Sequence, residues 1–196
     1  MPEQEIARHG PRMYVKIPPE RLGAVIGERG SVVKEIASRL GVAITVDSEN
    51  SVAVIESEAP GVRADKVMKA AEIVKAIAYG FPPEKAMALL NDNYILVVVD
   101  LKEKVGDKPN HLKRVKGRII GESGRARRTI EEMTGTYIHV GEDYVAIIGD
   151  YERAMAAREA VEMLAEGRMH GTVYRHLDTL MREIRRRERL KLWEEV

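Results

Sequence analysis

The sequence predicts an α+β protein made of two copies of one small domain. Residues 25–30 (VIGERG) return 94 positions later as residues 119–124 (IIGESG), and glycines and aliphatic residues on both sides match at the same offset. Both copies also share one predicted element order: strand, helix, Gly-x-x-Gly, helix, strand, strand, helix. A repeat of this length indicates tandem domains. The three strands of each copy are expected to form one antiparallel sheet with helices on one face.

In the first copy, alternating apolar residues predict strands, and apolar residues at helical spacing predict helices. Ser31 is expected to cap the helix after the glycine loop, and Gly41 to end it. A further helix over residues 84–90 is appended. In chain order, the predicted elements are a strand at 13–17, helices at 20–26 and 32–40, strands at 42–46 and 51–56, and a helix at 61–78.

The second copy repeats this order, with an insertion at residues 102–110. Its predicted elements are a strand at 94–101, helices at 111–120 and 125–134, strands at 136–140 and 144–148, and a helix at 151–165. A last helix from about residue 172 has apolar residues on one face, so its first half should pack against a domain. These patterns divide the chain into a flexible N-terminus (1–12), a first domain with its appended helix (13–91), a second domain (92–168) and a basic C-terminal helix (169–196).

Composition and charge exclude several classes of protein. The chain has 196 residues, a net charge of +1 and no cysteine, so disulfides, thiolate chemistry and Cys-ligated zinc are excluded. No apolar run approaches the roughly 20 residues of a membrane span, and the N-terminus lacks a secretory signal, so a cytoplasmic protein is expected. Charged residues make up 32% of the chain and glutamine occurs once, which is typical of a hyperthermophile's protein.

An enzyme is disfavoured, and no metal or cofactor is expected. The histidines lack metal-ligand spacing, neither glycine loop is followed by the Lys-Ser/Thr pair of a Walker loop, and no serine sits in a nucleophile elbow. An RRM-type RNA binder needs aromatic stacking residues, but aromatic residues are only 5% of the chain.

With Ile-Gly-x-x-Gly between its first two helices, this element order resembles the type I K-homology (KH) domain. Residues 116–125 (KGRIIGESGR), 130–135 (IEEMTG) and 170–174 (HGTVY) resemble more closely the tandem-KH ribosome-assembly factors of archaea and eukaryotes, the Dim-two or Pno-one family. The resemblance implies non-catalytic binding near the 3′ end of small-subunit (16S) ribosomal RNA. Because Gly27 and Gly30 are present, the chain is similar to the archaeal form.

The resemblance also implies protein partners, namely the Nob endonuclease and the rRNA dimethyladenosine transferase. The alpha subunit of initiation factor two is a further candidate partner. Two other functions stay open for a KH protein: regulation of mRNA or translation, and a protein-binding scaffold in translation initiation.

The glycine loops are the predicted RNA-binding devices. A backbone without Cβ atoms can approach a phosphate, and the following helix presents free N–H donors at its positive end. Such a loop clamps about four unpaired nucleotides, whose bases would lie on an apolar floor. Aliphatic residues at matching positions of the two copies are predicted to form that floor. The alternative is that these side chains belong to the ordinary hydrophobic core. The pairs are Val25, Ile26, Ile44 and Val46 in the first copy, and Ile119, Ile120, Ile138 and Val140 in the second.

Charge distinguishes the two copies. Residues 111–128 carry seven Lys or Arg and one Glu, a net charge of +6, whereas the matching window 17–34 has a net charge of +1. The second copy is therefore expected to be the dominant RNA site, although Glu122 between its glycines would repel phosphate unless it turns toward Arg118 or Arg125. The predicted RNA-binding residues are Gly27, Glu28, Arg29, Gly30 and Lys34 in the first copy, and Lys113, Arg114, Lys116, Arg118, Ile119, Ile120, Gly121, Glu122, Ser123, Gly124, Arg125, Arg127, Arg128, Ile138 and Val140 in the second.

The C-terminal basic run has two interpretations. It comprises Arg185, Arg186, Arg187, Arg189 and Lys191, with Trp193 near the end. It is either a solvated tail or a second RNA or protein contact that becomes ordered in a complex.

Overall fold

The computed structural model describes residues 11–57, 64–106 and 108–194, with residues 191–194 described in their backbone alone. The chain divides into two compact units, one extending to Asn91 and the other beginning at Asp92. Each unit contains a three-stranded antiparallel sheet together with helices. The predicted α+β class and the predicted repeat are both confirmed.

The first unit follows the predicted element order. Its sheet has the order β1-β3-β2, so β3 is the central strand. A 3-10 turn precedes α1, and another follows α4. The elements are β1 (Arg12–Lys16), α1 (Leu22–Ile26), α2 (Ser31–Leu40), β2 (Val42–Asp47), β3 (Val52–Ser57), α3 (Ala64–Ala78) and α4 (Pro83–Ala86).

The second unit has the same sheet topology and, in the described residues, five α-helices instead of four. Its sheet has the order β4-β6-β5, which leaves β5 at an edge. The elements are β4 (Tyr94–Asp100), α5 (Leu101–Val105), α6 (Pro109–Ile120), α7 (Arg125–Thr134), β5 (Tyr137–Val140), β6 (Tyr144–Asp150), α8 (Tyr151–Ala165) and α9 (His170–Glu194).

The helices and the sheet of the second unit pack around one hydrophobic core. Several elements contribute at least one fully buried side chain, including Ile119 of α6, Ile130 of α7 and Ile147 of β6. Burial of an aliphatic side chain of this size stabilises a fold by about 1.5–3 kcal/mol. The apolar stripe of α9 is also buried in this core, as predicted, through Val173, Leu177, Met181 and Ile184.

One local prediction, that for Ser31, was wrong, and two segments show more detail than the sequence predicted. The insertion contains the helix α5, which begins where the Asp100 carboxylate accepts hydrogen bonds from the N–H groups of Lys102 (2.7 Å) and Glu103 (3.2 Å). The appended segment 84–90 is a short helix followed by a 3-10 turn. Ser31 does not cap α2, because the cap position belongs to Gly30 in a left-handed conformation.

The basic run near the C-terminus continues α9. Arg187 pairs with Glu152 of α8 at 3.1 Å, and Glu188 pairs with Arg153 of the same helix at 3.0 Å. Within the described part of the chain this run is thus a helix bound to α8 rather than a separate tail. The side chains of Lys191 and Trp193 lie outside the described residues.

The predicted flexible N-terminus and the predicted start of the first long helix, residues 61–63, also fall mostly outside the described residues. Arg12, which was included in that N-terminus, belongs to β1. No helix in the described segments is long and apolar enough to cross a bilayer.

Candidate nucleic-acid interface

The two glycine loops have nearly the same backbone. Their first glycines, Gly27 and Gly121, share φ 72° and ψ 174°. The third residues, Arg29 and Ser123, are both left-handed, with φ of 53° and 52°. The last glycines follow with φ of 78° and 77°. The duplication has therefore preserved the loop conformation although the side chains differ.

Sterics explain why each loop begins with glycine. A Cβ on Gly121 would lie 2.6 Å from the Cβ and 2.7 Å from the backbone N of Ala126. A Cβ on Gly27 would lie 2.5 Å from Cγ2 of Val32. The helix that follows each loop can therefore pack closely against the loop only where the side chain is absent. A left-handed non-glycine residue costs about 1–2 kcal/mol, so Ser123 and Arg29 add strain.

Both loops present unused backbone donors. Gly124 donates its N–H to the Gly121 carbonyl at 3.1 Å, and Arg125 donates to Glu122. The N–H groups of Glu122 and Ser123 have no acceptor among the residues that the structure describes, and both residues are exposed. Together with the N-terminus of α7, these donors form a site suited to a phosphate oxygen. The first loop offers the same arrangement at Glu28 and Arg29.

Arginines of α7 support and border the second loop. Nη2 of Arg128 donates to the Ser123 carbonyl oxygen at 2.8 Å. Arg125 is exposed at the first position of the helix. Nε of Arg127 is buried, lacks a hydrogen-bond acceptor among the described residues, and lies 3.6 Å from Oε2 of Glu131. The buried Nε itself cannot reach a nucleic acid, although the Arg127 side chain as a whole is 39% exposed.

Helix α6 supplies a basic surface next to the loop. Lys113 and Lys116 lie three residues apart and therefore on one side of the helix, with half-buried Ile120 a turn further on. Gly117 lies between Lys116 and Ile120, and a Cβ there would meet no heavy atom within 4 Å. The surface next to the loop is thus cationic and open. Arg114 is exposed on the neighbouring side.

Arg118 was predicted to bind RNA, and the structure assigns its side chain another role. Its Nε donates to the Leu164 carbonyl oxygen (3.3 Å) and its Nη2 to that of Arg168 (2.6 Å), so it satisfies acceptors at the end of α8. Glu122 forms no ion pair with another described residue, neither with Arg118 nor with Arg125. It therefore remains an exposed negative charge in the loop.

Arg21 performs the same task in the first unit. Its guanidinium donates to the carbonyl oxygens of Ile77 (3.0 Å) and Phe81 (2.9 Å) at the end of α3. The two arginines do not occupy matching positions of the repeat, because Arg118 follows Arg21 by 97 residues rather than 94.

The predicted apolar floor is partly wrong. Ile119 is 0% exposed and Ile138 is 4% exposed, so both belong to the core and have almost no surface for a base. Ile120 and Val140 are half-buried and can contribute. In the first unit Val25 is likewise core, whereas three of its predicted partners keep partial exposure, namely Ile26, Ile44 and Val46.

The first loop has a weaker electrostatic setting. Arg29 is exposed beside Glu28, and the stem of Lys34 passes 3.7 Å from the position of a Cβ on Gly30. Lys34 matches Arg128 of the repeat but makes no equivalent hydrogen bond to the loop in the described residues.

Glu131 is a site residue that the sequence analysis missed. Its Oε1 accepts a 2.7 Å hydrogen bond from the N–H of Ile138 on the edge strand β5, and its Oε2 faces Arg127. This contact joins α7 to β5 and positions the Arg127 guanidinium. The matching residue of the first copy is Ala37. A carboxylate in one copy where the other has alanine was the sequence signal that could have drawn attention to this position. No group of three or more His, Cys, Asp or Glu side chains in the described residues can hold a metal ion.

Comparison with known proteins identifies both units. A family described as the KH domain matches residues 12–76, and one described as the eukaryotic-type KH domain (type I) matches residues 95–182. The chain is therefore a tandem KH protein. It is 40% identical over 181 residues to a KH domain-containing protein of Methanocaldococcus jannaschii, covering 91% of this chain and 78% of that protein. It is 30% identical over 177 residues to the pre-rRNA-processing protein PNO1 of Debaryomyces hansenii, covering 88% and 68%.

Solved structures agree with this grouping. A crystal structure of an Aeropyrum pernix protein has a TM-score of 0.93 and 70% identity, covering 95% of this chain and 99% of that one. Dim2p of Pyrococcus horikoshii, in a complex described as a/eIF2alpha–aDim2p–rRNA, has a TM-score of 0.81 and 41% identity, covering 88% and 95%. The chain belongs to the tandem-KH family of Dim2p and PNO1.

Proposed function

We propose that this protein binds single-stranded RNA through its glycine loops, mainly the second, and that its target is the 3′ region of 16S rRNA during assembly of the small ribosomal subunit. The observation that carries the proposal is the pair of exposed, unused N–H groups at Glu122 and Ser123, bordered by basic side chains. The rRNA in the Dim2p complex and the name of PNO1 support the ribosomal target.

The residues that we propose for RNA contact differ from the sequence prediction. The loop residues Gly121 to Gly124 bind phosphate, Arg125, Lys113 and Lys116 supply charge, and Ile120 and Val140 supply apolar surface. Arg127 can donate to a base, and Arg128 acts chiefly by holding the loop. Arg118, Ile119 and Ile138 support this surface from below without touching RNA.

The protein acts in this proposal by binding rather than by catalysis, in the cytoplasm. A second role in translation initiation is favoured by the Dim2p complex, which contains a/eIF2alpha. We therefore include the alpha subunit of initiation factor two among the proposed partners. The Nob endonuclease and the dimethyladenosine transferase are proposed partners on the family resemblance alone.

Matched loop variants test the RNA site. The change Glu122→Asp with Ser123→Asp should weaken binding of a 16S 3′-end oligonucleotide more than tenfold, because a second carboxylate then faces the phosphate. The control, Glu28→Asp with Arg29→Asp, alters net charge by −2 rather than −1, so a smaller loss there cannot be a net-charge effect. Equal losses at one fixed salt concentration would refute the dominance of the second loop.

The ribosomal target needs a separate experiment. Crosslinking in cells followed by sequencing of bound RNA should give reads clustered at the 3′ end of 16S rRNA. Reads scattered over messenger RNAs would instead support the regulatory alternative. In vitro, the logarithm of the affinity should fall with the logarithm of salt concentration with a slope of about −0.7 per phosphate neutralised.

A further inference from the structure

A cavity of about 480 Å³ lies next to the second glycine loop, on the side of α9. Its walls come from two loop residues (Gly121 and Glu122), three residues of α7 (Arg125, Ala126 and Thr129) and two rings of α9 (His170 and Tyr174). This volume is within the range of pockets that hold small organic groups. The cavity belongs wholly to the second unit.

The two rings are held in fixed positions. Their centroids are 6.1 Å apart and their planes differ by 55°. Nε2 of His170 lies 2.8 Å from the carbonyl oxygen of Arg118, which orients the imidazole. Tyr174 packs against the hydrophobic core, so its ring is restrained as well. Half-buried rings that are already ordered lose little entropy when a ligand stacks on them.

The chemistry of the walls favours a nucleobase over other ligands. Aromatic side chains stack on the faces of unpaired bases, and an exposed arginine can bind the adjoining phosphate. The Tyr174 hydroxyl has no hydrogen-bond partner among the described residues, so it can bond to the edge of a base. Gly121 lines both this cavity and the phosphate loop, which places the two features next to each other.

We propose that this pocket takes the base of one RNA nucleotide that flanks the stretch held by the second glycine loop. The inference rests on the proposed function and extends it, because it adds a base site built by α9, outside the repeated domain. The described residues of the first unit hold no counterpart of these two rings. The long helices α3 and α8 end 87 residues apart, at Ala78 and Ala165. At this offset, the first-unit residues that correspond to His170 and Tyr174 are Pro83 and Met87.

Trimmed oligonucleotides test the pocket. A nested series of 16S 3′-end RNAs, shortened one nucleotide at a time from either end, is titrated against the full chain. One trimming step should cost the wild type about tenfold in affinity, the scale of one base stacked on one aromatic ring. Tyr174→Phe, which keeps the ring and loses only the hydroxyl, should keep most of that step, whereas Tyr174→Leu, which preserves apolar packing, should lose it. Tyr151→Ala, at an exposed tyrosine of α8, is the matched control and should behave as wild type.

A second readout does not depend on affinity. 2-Aminopurine placed at the same nucleotide should be quenched on binding to the wild type and to Tyr174→Phe, but much less on binding to Tyr174→Leu. A trimming step of wild-type size in Tyr174→Leu would overturn the inference. If the wild type shows no such step while the Glu122/Ser123 aspartate variant still loses binding, the pocket is wrong and the proposed function stands. If the wild type binds no RNA of the series, both fail.

Discussion

The Arg128 guanidinium donates to the carbonyl oxygen of Ser123 and so holds the left-handed residue of the second loop from below. Arg128 therefore contributes to an RNA site through geometry as well as charge. Lysine keeps the charge but has no planar fork to match this bond. We expect Arg128→Lys to weaken RNA binding several-fold without changing its salt slope. The control Arg114→Lys, at an exposed side chain to which no such bond is assigned, should leave both affinity and slope near wild type. Unchanged affinity in Arg128→Lys would contradict this geometric role.

The two glycines of the second loop should differ in their tolerance of a side chain. Gly124→Ala meets open space and costs only the left-handed conformation, about 1–2 kcal/mol in the free energy of unfolding. Gly121→Ala carries the same conformational cost and also forces its Cβ against the Ala126 backbone. We expect it to be clearly the more destabilising of the two. Denaturant titration of both variants measures this order, and equal values would contradict the packing argument.

Substitutions of Gly117 should affect RNA affinity and the free energy of unfolding in opposite directions. It lies inside α6 with open space around it, so Gly117→Ala should raise the free energy of unfolding by about 0.5–1 kcal/mol. The same methyl group would stand on the proposed RNA surface, so affinity should fall, and Gly117→Leu should reduce it further. Gly23→Ala, the matching change in the first unit, should stabilise without a comparable loss. Unchanged RNA affinity in Gly117→Leu would show that the RNA does not contact this side of α6.

Arg118 should matter for stability, and Lys113 for binding. Arg118→Ala removes two charge-assisted hydrogen bonds at the end of α8, so the free energy of unfolding should fall by about 2 kcal/mol. RNA affinity of the folded protein should change little. Exposed Lys113→Ala should do the reverse, with a stability change within about 0.5 kcal/mol and a shallower salt slope. A steep loss of affinity in folded Arg118→Ala would restore its predicted role as an RNA ligand.

Glu162 gives the second unit a source of acid sensitivity. Burial raises the pKa of its carboxyl, but hydrogen bonds from Arg158 and Lys104 outweigh burial and hold the pKa below the ordinary value of 4.5. A group of this kind stabilises the fold above about pH 4.5, and its contribution is lost as pH falls through the lower, folded pKa. Glu162→Gln should therefore be less stable than wild type near neutral pH. In urea unfolding across pH, that difference should shrink on acidification, and a constant difference would contradict the account.

The fold could be predicted largely because its information is local and occurs twice. Apolar periodicity and the repeated glycines located the three-stranded sheets and the helices around each loop. The missed helix α5 depends on one carboxylate, Asp100, at the end of a strand, a signal that lay inside a stretch without a counterpart in the first copy. The repeat was thus the strongest guide to secondary structure, and the segment that contains α5 has no repeated counterpart.

The site was harder to predict than the fold because the sequence does not show which way a charged or apolar side chain points. Arg118 lies in a basic run, yet it faces carbonyl groups 46 and 50 residues further along the chain. Ile119 and Ile120 are adjacent and alike, but the helix turns the first into the core and leaves the second half-exposed. The Glu131 bond to the edge strand likewise depends on tertiary packing.

The placement of Arg21 and Arg118 has a consequence for engineering. Each arginine donates to carbonyl groups at the end of its own unit's long helix, Arg21 from the turn before α1 and Arg118 from α6. Exchanging single residues between the copies at the repeat offset would therefore leave those carbonyl groups without this donor. Residues 17–40 and 111–134, transplanted whole, would each carry the needed guanidinium with them. We therefore expect exchange of whole segments to be tolerated better than exchange of single residues at these positions.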